Sequence, residues 1–419
     1  MNCSRIALRL REQIHKLARG FHSLSKPKQR FMEEMIYGIQ AAKDVKLSEI
    51  GRALDEEIAL KKIEERLSRH LKQPGLAEAV NQHIAKLGSR RVHQDTLLII
   101  DPSDIRKPYA RKMPYLARVR DGSTGEIVNG YWTCHIAACE PGKRRMIPLH
   151  LSLWSQKAPD FDSENECILR ALDIVKSQIN GRGIWVMDRG GDRENLLEPF
   201  LERRLRFIVR LVGNRNLVYK GRLVLADKLA ASCPIYYAET IIKEENGQEK
   251  TRHIEYGYRP VKLPGREEQL YLVVVTGFGE EPLMLLTTLE MRKNRALLWQ
   301  VVEGYLSRWM VEETIRFMKQ SYSLEDLRLL DYDRLRNMVA LVLAAAFFAA
   351  VFLGENLKLS VLTRQVTRLA KRFFGVPDFH YYALADGIAT LLRRAARGPL
   401  LARGTRPRSE GQFWLFDTG

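Results

Sequence analysis

The stretch Thr96-Leu-Leu-Ile-Ile100-Asp101-Pro-Ser-Asp104 marks a change of pattern in this chain. Apolar residues recur at helical spacing before it, whereas here an uninterrupted apolar run stops at two acids. A short run of this kind predicts a buried strand. We expect the strand to end by delivering a carboxylate, and the first acid, Asp101, is the candidate. Asp104 is the alternative if the strand ends later.

A second apolar run, Gly183–Met187, also ends on an acid, in the motif Asp188-Arg189-Gly-Gly-Asp192. Asp188 is the first acid after this strand, and Asp192 is its alternative. Strands linked through helices pair in parallel, so the two acids should meet at one edge of a sheet. The wider pattern predicts the order β-β-β-α-β-α-β and an α/β fold, with further strands at 130–139, 146–154 and 206–211 and helices at 164–178 and 194–203.

A long helical pattern from Asn294 to Lys319 carries a third acid. Steps of three, four and seven residues put Tyr305, Arg308, Glu312 and Lys319 on one face of that helix. The neighbouring acid, Glu313, points about 100° away from this face. A carboxylate among cations suits a site that holds a divalent metal and phosphates. Charge spacing alone also fits a solvated helix with ordinary ion pairs.

Two strand ends and one helix can bring Asp101, Asp188 and Glu312 together on one pair of metal ions. Carboxylates are the ligands that Mg²⁺ prefers, and Mn²⁺ can substitute. In such a pair, one ion activates a nucleophilic oxygen and the other stabilises the leaving oxygen. The three acids therefore predict a two-Mg²⁺ site for phosphodiester chemistry.

The charge of the chain indicates a polyanionic partner. Its 419 residues carry 68 Lys and Arg against 50 Asp and Glu, a net charge of +18 and a pI near 9.7. DNA is the expected partner. Five cysteines without paired zinc spacing indicate reduced thiols and a cytoplasmic protein. The most apolar run, Met338–Leu353, is shorter than the ~20 residues of a membrane span, so no membrane partner is expected.

Composition and periodicity divide the chain into segments. Residues 1–90 are helical and basic, and within them 47–54 and 61–69 fit a helix-turn-helix or, equally, a plain helical bundle. We expect DNA binding there. The remaining segments are 91–211 and 293–330 for the catalytic core, 212–292 for a β-rich insertion, and 331–419 for a helical carboxyl-terminal region with a basic tail.

The chain resembles a DDE transposase of the bacterial insertion-sequence type. The signature of that family is Tyr, two residues, Arg, three residues, Glu, six residues and Lys (YREK), and Tyr305, Arg308, Glu312 and Lys319 fit it without a gap. In that family the first acid follows an apolar strand, as Asp101 does here. The second opens an Asp-Arg-Gly motif, as Asp188 does here. The resemblance extends over roughly residues 95–330.

This resemblance implies a ribonuclease-H-like core with a β-rich insertion before the last catalytic helix. It implies that transposon ends are cut to 3′-hydroxyls, which attack target DNA in a synaptic complex of at least two protomers. The expected setting is the bacterial nucleoid. Relatives can carry a Trp that stacks on a flipped base in the strand before the catalytic helix, whereas Pro282–Thr288 has no aromatic residue. DNA contacts are expected from Tyr305, Arg308, Lys319 and Arg189.

Two other functions fit the same residues. One is a ribonuclease-H-like nuclease that cuts DNA without strand transfer. The other is a DNA-binding protein that has lost its chemistry, which the intact set of three acids argues against. Hydrolysis of sugars by a carboxylate pair explains neither the net charge nor Arg308 and Lys319.

Overall fold

A computed structural model of the chain describes residues 3–122, 124–143, 145–245, 248–354, 381–395 and 398–400. These residues fall into two compact units. The first combines Met1–His83, Tyr109–Leu116 and Phe317–Gly419, and the second combines Ile84–Pro108 and Ala117–Arg316.

The helices, in chain order, are α1 Cys3–Arg19, α2 Lys26–Ala42, α3 Leu47–Ala53, α4 Leu60–Leu71, α5 Leu76–Gly88, α6 Glu164–Ile179, α7 Glu194–Glu202, α8 Ala226–Ala231, α9 Arg295–Leu306, α10 Met310–Ser321, α11 Tyr332–Ala350 and α12 Tyr381–Ala395. The strands are β1 Leu97–Arg106, β2 Ala117–Arg120, β3 Ile127–Cys139, β4 Met146–Trp154, β5 Ile184–Met187, β6 Phe207–Arg210, β7 Asn216–Tyr219, β8 Arg222–Leu225, β9 Tyr237–Glu245, β10 Gln248–Val261, β11 Leu270–Thr276 and β12 Leu283–Thr287.

The second unit is built on one mixed sheet. In the part of the chain that the structure describes, its ten strands have the order β2-β3-β1-β5-β6-β12-β11-β10-β9, and β4 pairs with β3. The centre is parallel, because β1 pairs with β5 and β5 pairs with β6 in parallel. These central strands are short and almost wholly buried, as strands covered on both faces are. The prediction of a mixed α/β fold is confirmed.

The β-rich segment after β6 continues the central sheet. Strand β12 pairs antiparallel with β6, and β11, β10 and β9 follow it outward. A separate two-stranded sheet, β7-β8, precedes them. Strands β9 and β10 pair from Glu245 and Gln248 onward, and Asn246 and Gly247 between them lie outside the described residues.

Helices pack on the central strands of this sheet and also on strands that follow β6 in the chain. Helix α6 begins at the N-cap Ser163, whose hydroxyl accepts a hydrogen bond from the amide of Glu166, and it packs on β1, β3 and β4. Helix α9 is capped in the same way by Asn294 and packs across β5, β6, β10 and β11. Helix α9 therefore lies over the middle of the extended sheet.

The first unit is helical. Helix α2 is its centre: residues 31–41 are all buried, and α1, α3, α4, α11 and α12 pack around it. Buried polar groups connect the amino-terminal helices of this unit with its carboxyl-terminal helices. The Gln40 amide donates hydrogen bonds to the Tyr322 hydroxyl at 3.1 Å and to the Ala345 carbonyl at 2.7 Å. The helices before β1 and those after α10 therefore share one core.

The apolar run at 338–353 lies mostly in α11, which is buried over nearly its whole length. Among the described residues, no helix is long and apolar enough to cross a membrane. The four cysteines whose side chains are described, Cys134, Cys139, Cys167 and Cys233, form no disulfide. The predicted basic tail, and residues 355–380 of the predicted helical tract, lie outside the described residues.

Two predicted boundaries were wrong. Strand β1 does not end before Asp101 but runs on to Arg106. The predicted helix from Asn294 to Lys319 is divided into α9 and α10 by a 3₁₀ turn at Ser307–Trp309. Both corrections change how the candidate site residues are held.

Candidate active site

Asp101 is the fifth residue of β1, within the sheet and not at the end of a strand. It lies opposite His135 of β3, while the pairing of β1 with β5 covers only Leu97–Ile99. Among the described residues, the β5 side of β1 therefore has no strand partner from Ile100 onward. The Asp101 side chain is 15% exposed. The sheet thus fixes the backbone of Asp101 and leaves its carboxylate partly accessible.

Asp188 follows β5 directly, as the sequence predicts. It caps a 3₁₀ turn at Arg189–Gly191, where its Oδ1 accepts a 2.8 Å hydrogen bond from the amide of Gly190. A side chain at Gly191 would place its Cβ only 2.7 Å from the Cβ of Met187, so a glycine is needed for the chain to turn this tightly. One oxygen of Asp188 is committed to the turn, and Oδ2 is available for other contacts.

Helix α9 brings the third element of the site close to the sheet. A Cβ at Gly304 would lie 3.2 Å from side-chain carbons of Leu97 and Ile208, so the helix approaches β1 and β6 closely at this position. Arg308 follows one turn later, in the 3₁₀ turn before α10. Glu312 lies in the first turn of α10. The 3₁₀ turn and α10 together place Arg308 and Glu312 beside β1.

Arg308 connects two of the three acids. Its Nη2 donates a 2.8 Å hydrogen bond to Oε1 of Glu312, and its Nη1 lies 3.8 Å from Oδ2 of Asp101. The guanidinium is 17% exposed, whereas the Glu312 side chain is 53% exposed. Burial lowers the pKa of Arg308, but Asp101 and Glu312 outweigh this effect and raise the pKa above its ordinary value.

The pKa of Asp101 responds to both of the other acids. Burial raises the pKa of Asp101 to about 7, Arg308 opposes this increase, and the negative charges of Asp188 and Glu312 add to it. A buried carboxylate close to two others requires a cation in order to ionise at neutral pH. Perturbed carboxylates of this kind are typical of functional sites.

The competing acids have other partners. Asp104 is buried and accepts a 3.2 Å hydrogen bond from the amide of Gly122. Asp192 forms an ion pair with Arg215 and accepts a 2.7 Å hydrogen bond from the amide of Val212. Glu313 forms an ion pair with Arg316 on α10. These contacts favour structural roles for all three and leave Asp101, Asp188 and Glu312 as the candidates.

The predicted DNA contacts differ in their exposure. The Arg189 side chain is exposed and forms no ion pair with the residues that the structure describes. Tyr305 is only 7% exposed and lies close enough to Arg308 to raise the pKa of the guanidinium. Lys319 lies further along α10, in the first unit, and forms a 3.4 Å ion pair with Glu325 of the same unit. The face predicted for a single straight helix is therefore interrupted.

Trp309 is a candidate that the sequence pattern did not reveal. It follows Arg308 in the 3₁₀ turn, and 48% of its surface is exposed. A tryptophan at helical spacing is usually part of the core, and only the break between α9 and α10 turns this one outward. An exposed indole beside a cation suits stacking on a nucleic-acid base.

The donor set fits a divalent metal in its chemistry. Asp101, Asp188 and Glu312 supply only carboxylate oxygens, the ligands that hard cations prefer. Among the described residues, no three His, Cys, Asp or Glu side chains are grouped closely enough to hold a metal ion. Arg308 already pairs with Glu312 and lies 3.8 Å from Asp101. The exposed Glu312 side chain would therefore have to leave Arg308 and turn toward the other two acids.

Comparison with protein families gives a match over much of the chain. The family model described as a transposase DDE domain matches residues 93–348, more than half of the chain. The chain belongs to the transposase DDE domain family. The matched residues include Asp101, Asp188 and Glu312. No curated protein gives a match.

Among solved structures, this member of the DDE domain family is similar to a piggyBac transposase, seen in the cryo-EM structure of its synaptic complex with hairpin DNA. The two chains are 10% identical, and the TM-score is 0.40. The match covers 96% of this chain and 82% of that chain.

Proposed function

We propose that this DDE-family protein is a DNA transposase of the bacterial insertion-sequence type that carries the YREK signature at Tyr305, Arg308, Glu312 and Lys319. It cuts the ends of its element and joins the 3′-hydroxyl ends to target DNA. The observation that carries this proposal is the position of Arg308 between Asp101 and Glu312, with Asp188 near enough to affect the pKa of Asp101.

The strand order supports a ribonuclease-H-like core. Three antiparallel strands, β4, β3 and β1, are followed by the parallel strands β5 and β6. One acid lies on β1, one follows β5 and one lies on a helix after the added strands. This arrangement supports two acids held by the sheet and a third supplied by α10.

The residues of this chain have separate tasks in the proposed reaction. Bound Mg²⁺ ions would supply activation of the attacking oxygen and stabilisation of the leaving oxygen. The sheet and the turn after β5 hold Asp101 and Asp188 in place. Arg308, once Glu312 has turned away, is available to hold two phosphate oxygens beside the cleaved bond. The exposed Arg189 is available to the DNA backbone.

Variants of the acids test the proposal. We expect Asp101→Asn, Asp188→Asn and Glu312→Gln to abolish cutting of DNA that carries the element's ends, because each change removes a metal ligand. DNA binding should persist, since the basic surface is unchanged. Asp192→Asn is the matched control for Asp188→Asn, because it makes the same substitution at a nearby acid that is not proposed as a metal ligand. Full cutting activity in one of the three variants would remove that acid from the site.

The product of the reaction separates the transposase from its alternatives. A transposase joins a pre-cut end with a 3′-hydroxyl to a target plasmid, in the presence of Mg²⁺ or Mn²⁺. A nuclease cuts but does not join, and a protein that has lost its chemistry does neither while still binding DNA. Because joining needs two ends, we also propose a synaptic complex of at least two protomers. Sizing with and without end DNA tests this assembly.

Recognition of the ends is proposed for the first unit. Helices α3 and α4 contact each other, and the six residues between them exceed the three or four of a standard helix-turn-helix. A groove of about 680 Å³ runs beside them. Among the described residues, its lining carries five cations against the two acids Glu64 and Glu65, and this excess of positive charge supports DNA as its ligand. The basic residues that line the groove are Lys46, Arg69, Lys72, Arg328 and Arg334.

Two exposed cations allow this part of the proposal to be tested in the full chain. We expect Arg69→Ala and Arg328→Ala to weaken binding to duplex DNA and to lower its dependence on salt, by about one unit of the logarithmic slope for each lost phosphate contact. Lys62→Ala is the control, because Lys62 is exposed on α4 but does not line the groove. Equal effects of all three variants would argue against the groove.

A further inference from the structure

A cluster of tyrosines lies at the amino-terminal end of α9, outside the acid site. The rings of Tyr236 and Tyr258 have centroids 5.5 Å apart, and those of Tyr258 and Tyr271 are 6.0 Å apart. All three side chains are partly exposed. Strand pairing places Tyr258 and Tyr271 on the same face of β10 and β11, the face on which Tyr256 contacts Trp299 of α9. We call Tyr236, Tyr258 and Tyr271 the tyrosine cluster.

The three rings of this cluster lie next to one another, with centroids 5.5 Å and 6.0 Å apart. The pKa of Tyr258 is raised by burial and, to a smaller extent, by the nearby hydroxyls of Tyr236, Tyr271 and Tyr237. In the part of the chain that the structure describes, the hydroxyls of the tyrosine cluster form no hydrogen bond with another residue. Phenol hydroxyls are hydrogen-bond donors. Rings that serve only to pack a core do not need three such hydroxyls at one place. Three phenol donors on adjacent rings indicate a ligand with several acceptor oxygens.

Cations surround the tyrosine cluster. The Nζ of Lys293 lies 4.9 Å from the centroid of the Tyr236 ring, and this exposed lysine forms no ion pair with a described residue. The adjacent Arg292 is also exposed, and it forms an ion pair with Glu290. Donors from tyrosine, lysine and arginine are those that hold DNA phosphates.

Helix α9 sets the distance from this cluster to the acids. Lys293 lies just before the first residue of α9, and Arg308 lies just after its last. Twelve helical residues at about 1.5 Å per residue extend about 18 Å. Successive phosphates of one DNA strand advance by about 3.4 Å along the helix axis. The separation therefore corresponds to about five base pairs.

The geometry points to a second DNA contact: the tyrosine cluster, with Lys293 and Arg292, holds backbone phosphates of duplex DNA about five base pairs from the bond that is cut at the acid site. The inference rests on the proposed function, because it places the cleaved bond beside Asp101. It adds a contact on the strands β9 to β11, which extend the catalytic sheet. Contacts with phosphates fix the position of the duplex without reading its sequence.

Two substitutions test the contact in the full chain. Tyr258→Phe keeps the ring and removes only the hydroxyl, and we expect it to weaken binding of a duplex with the element's end by about 2-fold to 10-fold. Lys293→Ala should lower the salt dependence of binding by about one unit of slope. Lys228→Ala is the matched control, since Lys228 is an exposed lysine of the same unit that lies on α8.

Fluorescence anisotropy over a range of salt concentrations gives these values, and phosphate ethylation interference locates the contact on the DNA. We expect interference about five base pairs from the cleaved bond, lost in a Tyr258→Phe/Lys293→Ala double variant. If the wild type binds and neither variant differs from Lys228→Ala, the second contact is wrong while the proposed function stands. If the wild type binds no duplex DNA, the proposed function fails and the inference fails with it.

Discussion

Arg308 forms a 2.8 Å hydrogen bond to Glu312 and lies 3.8 Å from Asp101, so a guanidinium is the counter-ion of two proposed metal ligands in the free protein. The arrangement reconciles two interpretations of the helix sequence. Arg308 is both the ion-pair partner of Glu312 and a cation that can hold DNA, because the partner is exposed and can turn away.

Removing Arg308 should separate its two roles. We expect Arg308→Ala to bind Mg²⁺ more tightly in the absence of DNA, on the order of tenfold or about 1.4 kcal/mol, because the competing cation is gone. Cutting should fall sharply, since a phosphate contact is lost. Metal-induced shifts in melting temperature and cleavage rates measure both. Arg316→Ala, which removes the partner of Glu313, should change neither. Unchanged metal affinity in Arg308→Ala would refute the counter-ion role.

Trp309 should matter for DNA and not for folding. Half of its surface is exposed, so Trp309→Ala is expected to leave the melting temperature nearly unchanged. Loss of a stacked base costs about 1–3 kcal/mol, which predicts a decrease of roughly 5-fold to 150-fold in affinity for end DNA or in cutting. Trp309→Phe should recover part of the loss. A large fall in melting temperature with normal cutting would show that the indole is structural.

Asn337 should be important for the stability of the first unit. Its amide donates to the carbonyls of Leu71 and Gln73 at 2.7 and 2.8 Å, and its oxygen accepts from the amide of Ala77 at 2.8 Å. These three bonds hold the connection between α4 and α5. We expect Asn337→Ala to cost on the order of 3 kcal/mol of unfolding free energy, as measured by denaturant titration. The exposed Gln82→Ala should cost less than about 0.5 kcal/mol.

His150 should make stability depend on pH. It is buried in β4, neither ring nitrogen has a hydrogen-bond partner among the described residues, and burial lowers its pKa to about 3. The unfolded chain binds a proton below about pH 6.5 and the folded chain does not, so stability is present above pH 6.5 and falls as the pH decreases toward 3.

The size of this effect can be measured with a variant. At pH 5, the histidine should cost about 2 kcal/mol relative to pH 7. We expect His150→Leu to lose this part of the pH dependence and to be at least as stable as the wild type at pH 5. His253→Gln, at an exposed histidine of β10, should keep the pH dependence of the wild type. Identical pH profiles for wild type and His150→Leu would contradict the prediction.

Periodicity predicted the central elements closely, because their burial is strong and regular. Strand β4 matches its predicted bounds, and α6, β5, α7 and β6 agree with the prediction to within one residue at each end. The position of Asp188 was likewise predictable, because it directly follows a short apolar run and only Asp192 competes with it. Strand β2 was missed because four residues are too few to show a period.

The remaining differences come from contacts that a local pattern does not contain. The end of the apolar run at Asp101 suggested the end of β1, yet β1 stays paired with β3 as far as Arg106. Among the described residues, β1 pairs with β5 only over Leu97–Ile99, so the missing N–H group of Pro102 costs no ladder bond on that side. The turn at Ser307–Trp309 contains neither proline nor glycine and leaves no local signal. The joining of helices before β1 with helices after α10 depends on contacts such as Gln40 with Tyr322, which are distant in sequence.

The difference in exposure between Asp101 and Glu312 has a consequence for the order of assembly. Asp101 belongs to a strand that is fixed before any ligand arrives, so its carboxylate loses little conformational freedom on binding. The half-exposed Glu312 must give up its hydrogen bond with Arg308 and be immobilised again beside the metal, and both steps oppose binding. Favourable contacts with DNA can compensate for both steps. The protein would then hold its full complement of metal only in the presence of the DNA that it is about to cut, a restraint on premature reaction that arises from the exposure of one side chain.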